Sequence, residues 1–145
     1  GLTGGVQGSL TGKENAKFVC RIYSRSESEM KEMLQFVKAF SELGPYFDMP
    51  VKTYSAGMKA RLGFGLSLAF DFDYYLIDET LSVGDTKFRE KCKQALNKVK
   101  ATRNILLVNH NAQALRQLCE AGVVLEDGQL TYFDDIDDAI RFYQS

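Results

Sequence analysis

Apolar and polar positions follow two different rhythms along this chain. Up to about Phe70 the period is helical. The stretch TGKENAKFVCRIY opens on Thr11 and has Glu14 three residues on, the spacing of a capping box, in which each side chain satisfies a backbone amide of the other. SESEMKEMLQFVKAF repeats that spacing with Ser26 and Glu29. Its Met30, Met33, Leu34 and Val37 form one apolar stripe, closed by Gly44 and Pro45. YSAGMKARLGFGLSLAFDFD predicts a helix from Ser55 to Phe70, in which Gly63 and Gly65 cost helix propensity and so imply close packing. Beyond residue 72 the rhythm changes. DYYLID (residues 73–78) and NILLVN (104–109) are unbroken apolar runs, the pattern of strands buried on both faces of a parallel sheet. Helices over 86–100 and 112–120 separate and follow them. AGVVLEDGQLTYF reads as two short strands around an Asp-Gly turn, and DDIDDAIRFYQS as an amphipathic helix with acids in its first turn, matched to the helix dipole. The fold class is therefore α/β, a helical part followed by alternating strands and helices. That shift predicts two subdomains rather than two domains.

Composition narrows the function classes. The chain has 145 residues, of which 45% are hydrophobic, enough for one domain with a true core. A net charge of −1 gives no clustered basic footprint, so no nucleic-acid partner is expected. The longest apolar stretch, LGFGLSLAF, is too short to cross a bilayer. No charged-then-apolar leader opens the chain as given, so export is not expected. Cys20, Cys92 and Cys119 are widely spaced without a C-x-x-C pair, the usage of reduced cytosolic thiols. A single histidine excludes a His-rich metal site.

The chemistry centres on YYLIDE, where Asp78 and Glu79 end an apolar strand. Open α/β sheets bind ligands at the carboxyl ends of their strands, and a nucleotide hydrolase places its magnesium-holding Asp there. Such an enzyme also needs a phosphate cradle. The Gly-Lys pair of GSLTGKE is the tempting candidate, since a P-loop reads G-x-x-x-x-G-K-[ST]. Counting back from Gly12, the first glycine should stand where Gln7 is, and the magnesium-binding hydroxyl falls on Glu14. Only six residues precede Gln7, too few for the strand that should lead in. The capping box explains TGKE better, and the sequence contains no P-loop. A second phosphate-binding element is present: in YSAGMKARL, Ser55 can cap a helix while Ala56 and Gly57 leave its first amides open to an anion. The bland alternative is an ordinary N-cap.

In that order, these elements resemble an ATP-binding-cassette (ABC) ATPase. Tyr54-Ser55-Ala56-Gly57-Met58 resembles the family's signature motif, residues 74–79 its Walker B strand, and Ser82-Val83-Gly84-Asp85 its D-loop. His110 falls at the switch histidine. GSLTGKENAKFVCRIY, FSELGPYFDMPVKTYSAGMKARL and AFDFDYYLIDETLSVGD are similar to the ATP-binding subunits of capsular polysaccharide exporters. The resemblance implies a partial P-loop NTPase fold, with a helical signature subdomain over about 8–72 and a Walker B to C-terminal part over 73–145. It implies ATP and Mg²⁺ as ligands. Asp78 would hold the metal, Glu79 would act as general base, and His110 would contact the γ-phosphate. Ser55, Ala56 and Gly57 would bind the nucleotide held by an opposite subunit, with Asp85 at that interface. Gln7 would stand for the Q-loop glutamine, shared between metal, nucleotide and membrane partner, although its spacing to Glu14-Asn15 is shorter than usual. Ala56 and Met58 depart from the family's glycine and glutamine, and Asn109-His110-Asn111 from its usual Ser-His pair. Arg61 and Lys59 read as solvated helix residues.

The implied partners are a second ATPase subunit in a head-to-tail homodimer and a transmembrane permease, with the protein peripheral on the cytoplasmic face of the membrane. GLTGGV reads like the middle of a domain, so a truncated reading frame is the expectation. On that reading the chain alone is inert, and it self-associates through an open edge and an uncovered apolar face. Two other classes compete: a non-catalytic regulatory or binding module with an ABC-like fold, and a receiver-like domain. The receiver needs a late sheet lysine, which ILLVNH and AGVVLEDG do not offer.

Overall fold

The computed structural model describes residues 6–23, 25–78 and 85–145. They form two compact units. One takes the described residues up to Phe72 together with Asp85–Ala95; the other takes Asp73–Asp78 and Leu96–Ser145.

The first unit is helical. Helix α1 (Gly12–Ile22) starts on the expected capping box: Thr11 Oγ1 accepts from the Glu14 amide at 3.0 Å, and the Glu14 carboxylate accepts from the Thr11 amide at 2.8 Å. Helix α2 (Glu27–Ser41) starts on the same device with Ser26 and Glu29. It ends earlier than Gly44. Glu42 itself takes the left-handed cap position at φ 53°, and its carboxylate is held there by Lys91 at 2.7 Å and Arg61 at 3.4 Å. Two short 3-10 turns, Gly44–Asp48 and Val51–Thr53, lead into helix α3 (Ala56–Ala69). Gly65 of α3 lets the helix approach α2 closely: a Cβ there would stand 3.5 Å from the Val37 carbonyl and side chain. The core is one cluster of Ala16, Val37, Leu43, Phe47, Val51, Tyr54, Leu62 and Leu66, drawn from all these segments.

Gly12 shows what the misleading Gly-Lys pair is for. A Cβ at that position would meet the Tyr54 hydroxyl at 2.7 Å and the Phe47 carbonyl at 3.1 Å. Glycine is needed so that the first turn of α1 can lie against Tyr54 and Phe47, while Lys13 pairs loosely with Asp48 at 3.9 Å.

Helix α4 (Thr86–Lys100) runs through the division, leaving the first unit at Ala95. In the second unit, strands β1 (Tyr74–Asp78) and β2 (Asn104–Val108) pair in parallel, Tyr74 opposite Asn104 and Asp78 opposite Val108. Helix α5 (Ala112–Leu118) packs on β2. Strands β3 (Gly122–Glu126) and β4 (Gln129–Phe133) form the expected hairpin, with Asp127 and Gly128 both at positive φ as a type I′ turn demands. Helix α6 (Ile136–Gln144), capped by Asp135, lies on that hairpin.

The two apolar runs are not buried on both faces. In β1, Tyr75 is buried but Tyr74 and Leu76 are exposed, the latter by 76%; in β2, Leu107 is buried while Leu106 and Val108 are exposed. The pleat sends alternate side chains to opposite faces, and the described residues cover only one of them. The hairpin repeats this, with Val124 buried and Val123, Leu125, Leu130 and Tyr132 exposed.

Candidate functional site

The site residues named from the sequence fall into two groups, one in each unit. In the helical unit, Ser55 is the N-cap of α3. Its Oγ accepts from the Met58 amide at 3.2 Å and its carbonyl receives the first helical bond, from Lys59, at 3.0 Å. Ser55 and Ala56 are exposed and Gly57 is partly so. The amides of Ala56 and Gly57 belong to the first turn, where no intrahelical acceptor exists. A Cβ on Gly57 would find only Ser55 Oγ, at 3.8 Å. Nothing within the unit requires glycine there, and the space over the helix start is open.

Gln7 lies on a short loop ahead of α1. The buried Asn15 side chain fixes that loop by accepting from the Gln7 amide at 2.7 Å and donating to the carbonyls of Gln7, Leu10 and Thr11. The loop is also tied to the segment just before Ser55: the Lys52 amide donates to Gly8 at 2.8 Å and the Val51 amide to Leu10 at 2.9 Å. So the structure braces the Gln7 loop and the approach to the Ser55 turn against each other, and leaves Gln7 exposed. Asn15 is the residue the sequence reading passed over. A buried amide in an amphipathic helix was its only signal.

Asp85 caps α4. Its Oδ1 accepts from the Phe88 amide at 2.9 Å, and its Oδ2 accepts from Arg61 at 2.6 Å. The Phe88 amide, and after it the Arg61 charge, hold its carboxyl below the usual range. Arg61 is therefore not a solvated helix residue. Its side chain is 17% exposed, with the guanidinium centred 4.4 Å from the Phe88 ring centre.

In the second unit, Asp78 is the last residue of β1 and stands in register with Val108, the last of β2. His110 follows two residues later in the turn to α5, just before the N-cap Asn111, whose Oδ1 accepts from the Gln113 and Ala114 amides. The parallel pairing thus brings Asp78 and the His110 turn to the same, carboxyl end of the ladder, both exposed. Glu79 and the D-loop residues Ser82, Val83 and Gly84 lie outside the described residues.

As for metals, no group of three or more His, Cys, Asp or Glu side chains that could hold an ion occurs among the described residues. Mg²⁺ makes no such demand: it is commonly held by one or two carboxylates together with substrate phosphates and water. An exposed Asp78 at a strand end fits that chemistry. The cysteines are free; burial pushes all three thiols up, Cys92 to about 11, so none is a nucleophile at neutral pH.

Compared with solved structures, this fold is that of the ATP-binding-cassette ATPases. A structure described as the ATP-binding subunit of an ABC transporter superposes with a TM-score of 0.82 at 23% identity, covering 95% of this chain and 58% of that one. An ATP-binding cassette solved as a dimer in a post-hydrolysis state with ADP and Pi gives 0.68 at 23%, covering 88% and 58%. No family model matches the chain. Curated relatives do. Polysialic acid transport ATP-binding protein KpsT of Escherichia coli is 50% identical over 99% of this chain and 66% of its own length. Capsule polysaccharide export ATP-binding protein CtrD of Neisseria meningitidis serogroup B (strain ATCC BAA-335 / MC58) is 49% identical over 99% and 65%. The chain is thus similar over 99% of its length to ATP-binding proteins named for capsular polysaccharide and polysialic acid transport, and it has the ATP-binding-cassette fold. It spans just under two thirds of the length of these relatives.

Proposed function

We propose that this chain supplies the signature turn and the Walker B strand of an ABC ATPase that couples ATP binding and hydrolysis to export of a polysaccharide across the cytoplasmic membrane. The observation that carries the reading is the parallel register of β1 and β2, which sets Asp78 and the His110 turn at one end of the ladder. Near-50% identity to subunits named for capsule and polysialic acid transport supports the substrate class.

In this reading Asp78 and Gln7 would hold Mg²⁺, and Gln7 would also face the membrane partner. The ion neutralises charge on the phosphates when bound. Glu79 takes a proton from the attacking water, and His110 contacts the γ-phosphate. The Ser55 cap and the Ala56 and Gly57 amides face the nucleotide of a second copy, with Asp85 beside them at the interface; one of the superposed cassettes is itself a dimer. The permease supplies the membrane passage, since no described helix is long and apolar enough to cross a bilayer. Without a P-loop in its sequence the chain by itself hydrolyses no ATP and associates with itself through its exposed strand faces. Phosphate release above that of a Glu79→Gln control, or a monomer by light scattering at all concentrations, would contradict those two statements.

The decisive experiment uses the full-length gene product. Glu79→Gln is expected to trap a nucleotide-bound dimer and to lower turnover by roughly 10²–10⁴-fold, the usual contribution of a positioned base. An unchanged rate would remove Glu79 from that role. A regulatory module that keeps the fold without the chemistry would show no ATPase activity in the unaltered protein.

A further inference from the structure

Arg61 lies in the second turn of α3, the helix that Ser55 begins, and both terminal nitrogens of its guanidinium have partners. Nη2 donates to Asp85 Oδ2 at 2.6 Å, and Nη1 to Glu42 Oε2 at 3.4 Å and the Ser41 carbonyl at 3.5 Å. Its Cζ lies over the Phe88 ring, 4.4 Å from the centre. These partners belong to two segments, the end of α2 and the start of α4, where Asp85 is the N-cap and Phe88 lies in the first turn. Asp85 works in two directions, closing α4 through Oδ1 and receiving Arg61 through Oδ2. Lys91, from the next turn of α4, doubles the link to the end of α2, donating to Glu42 Oε1 at 2.7 Å and the Phe40 carbonyl at 2.9 Å.

A single exposed ion pair would be worth little. Here a planar fork with five donors meets several acceptors at once and lies over an aromatic face, an arrangement that lysine's point charge cannot reproduce. The two ends of the link are also the two elements of this unit assigned above to the subunit interface: the Ser55–Gly57 turn, one turn ahead of Arg61 on the same helix, and Asp85.

We propose that Arg61 is a positioning residue for ATP hydrolysis, fixing the Ser55–Gly57 turn relative to Asp85 so that both meet the opposing subunit in one arrangement. This rests on the functional reading given above. Its role is distinct from holding nucleotide in a single subunit, and from general stability, because the charge and most of the aliphatic stem survive in Arg61→Lys.

The test is made in the full-length gene product with Arg61→Lys, Asp85→Asn and the double variant. Asparagine retains the N-cap of α4 but loses the charge that Arg61 meets. Each single change is expected to lower kcat by about 10- to 10²-fold, the scale of a misplaced but intact site. KM for ATP and nucleotide binding without turnover should stay near those of the unaltered protein, and the melting temperature should fall by no more than leaves each variant fully folded at the assay temperature. The double variant should be little worse than either single, since both break one link. Unchanged kcat in Arg61→Lys, fully additive losses, or losses matched by unfolding at the assay temperature would overturn the proposal while leaving an active enzyme. An unaltered protein without ATPase activity would overturn the functional reading, and this inference with it.

Discussion

The two units solve the problem of apolar surface differently. The helical unit closes over its own: every residue of the core cluster comes from it, and Leu62 at its centre is 0% exposed. In the second unit β1, β2 and β3 each hide part of one side-chain row and show the other, while β4 is exposed but for a half-buried Phe133, so that Leu125 is 67% exposed one residue away from a buried Val124. Amphipathic helices carry one apolar stripe and need cover on one side only. The strands carry apolar side chains at both parities, so covering one face leaves apolar side chains on the other exposed.

The largest expected effect tests this difference directly. Leu62→Ala removes a side chain with no solvent contact and should cost about 2–5 kcal/mol by denaturant unfolding. Leu125→Ala, chemically the same change, should stay within about 0.5 kcal/mol. Equal losses would mean that the hairpin face is covered in solution.

The local elements on both sides of this contrast were legible in the rhythm of the chain. Both capping boxes, the Ser55 cap, the Asp-Gly turn and the helix over 86–100 follow from local chemistry, and they stand where the spacing puts them. What failed depended on partners distant in sequence. Glu42 could be seen as the end of α2 only by knowing that Lys91 and Arg61 converge on it, 49 and 19 residues away. Arg61 read as solvated for the same reason: nothing local shows Asp85 and Phe88 beside it. The apolar runs at 74–77 and 105–108 correctly marked parallel strands, but a run gives the surface that needs cover and not whether cover is present. At the site, the strand ends carrying Asp78 and His110 were readable as chemistry, and their common end of the ladder required the register.

A second contrast separates tight from open positions within the same fold. A Cβ on Gly122 would stand 2.5 Å from the Ala139 Cβ and 3.2 Å from Ile136, where α6 presses on β3. The Ile136 atom is the end methyl Cδ1 and can turn aside, but the Ala139 Cβ is fixed to the helix backbone. Gly122→Ala should therefore cost about 1–3 kcal/mol, as overpacking does, even though the opposite face of that hairpin is open. Gly57→Ala should not destabilise, and gains up to ~1 kcal/mol of helix propensity. A destabilised Gly57→Ala would show that the space above the Ser55 turn is filled within the chain itself.

The smallest effect concerns pH and belongs to the helical unit. Glu14 and Glu29 are held below the ordinary glutamate value by the hydrogen bonds that Thr11 and Ser26 give them, and Asp85 lies below the aspartate value through the Phe88 amide and Arg61. A carboxyl whose folded value is depressed adds stability that is complete above its unfolded value. That stability is lost as pH falls through the lowered one. The window therefore opens below about 4.5 for the two glutamates, the ordinary value from which both are lowered. Glutamine at the third helical position keeps the reciprocal bond of a capping box without a titrating group. Glu14→Gln with Glu29→Gln should lower stability at neutral pH slightly, by what the ionised carboxylates add, and flatten its decline between about pH 5 and 3. Hydrogen exchange in α1 and α2 is the sensitive measurement, because it reports these helices separately from the strands. An acid decline just as steep in the double variant would place the responsible protons elsewhere, with Asp85 the first to examine, since its two oxygens hold α4 and Arg61 together.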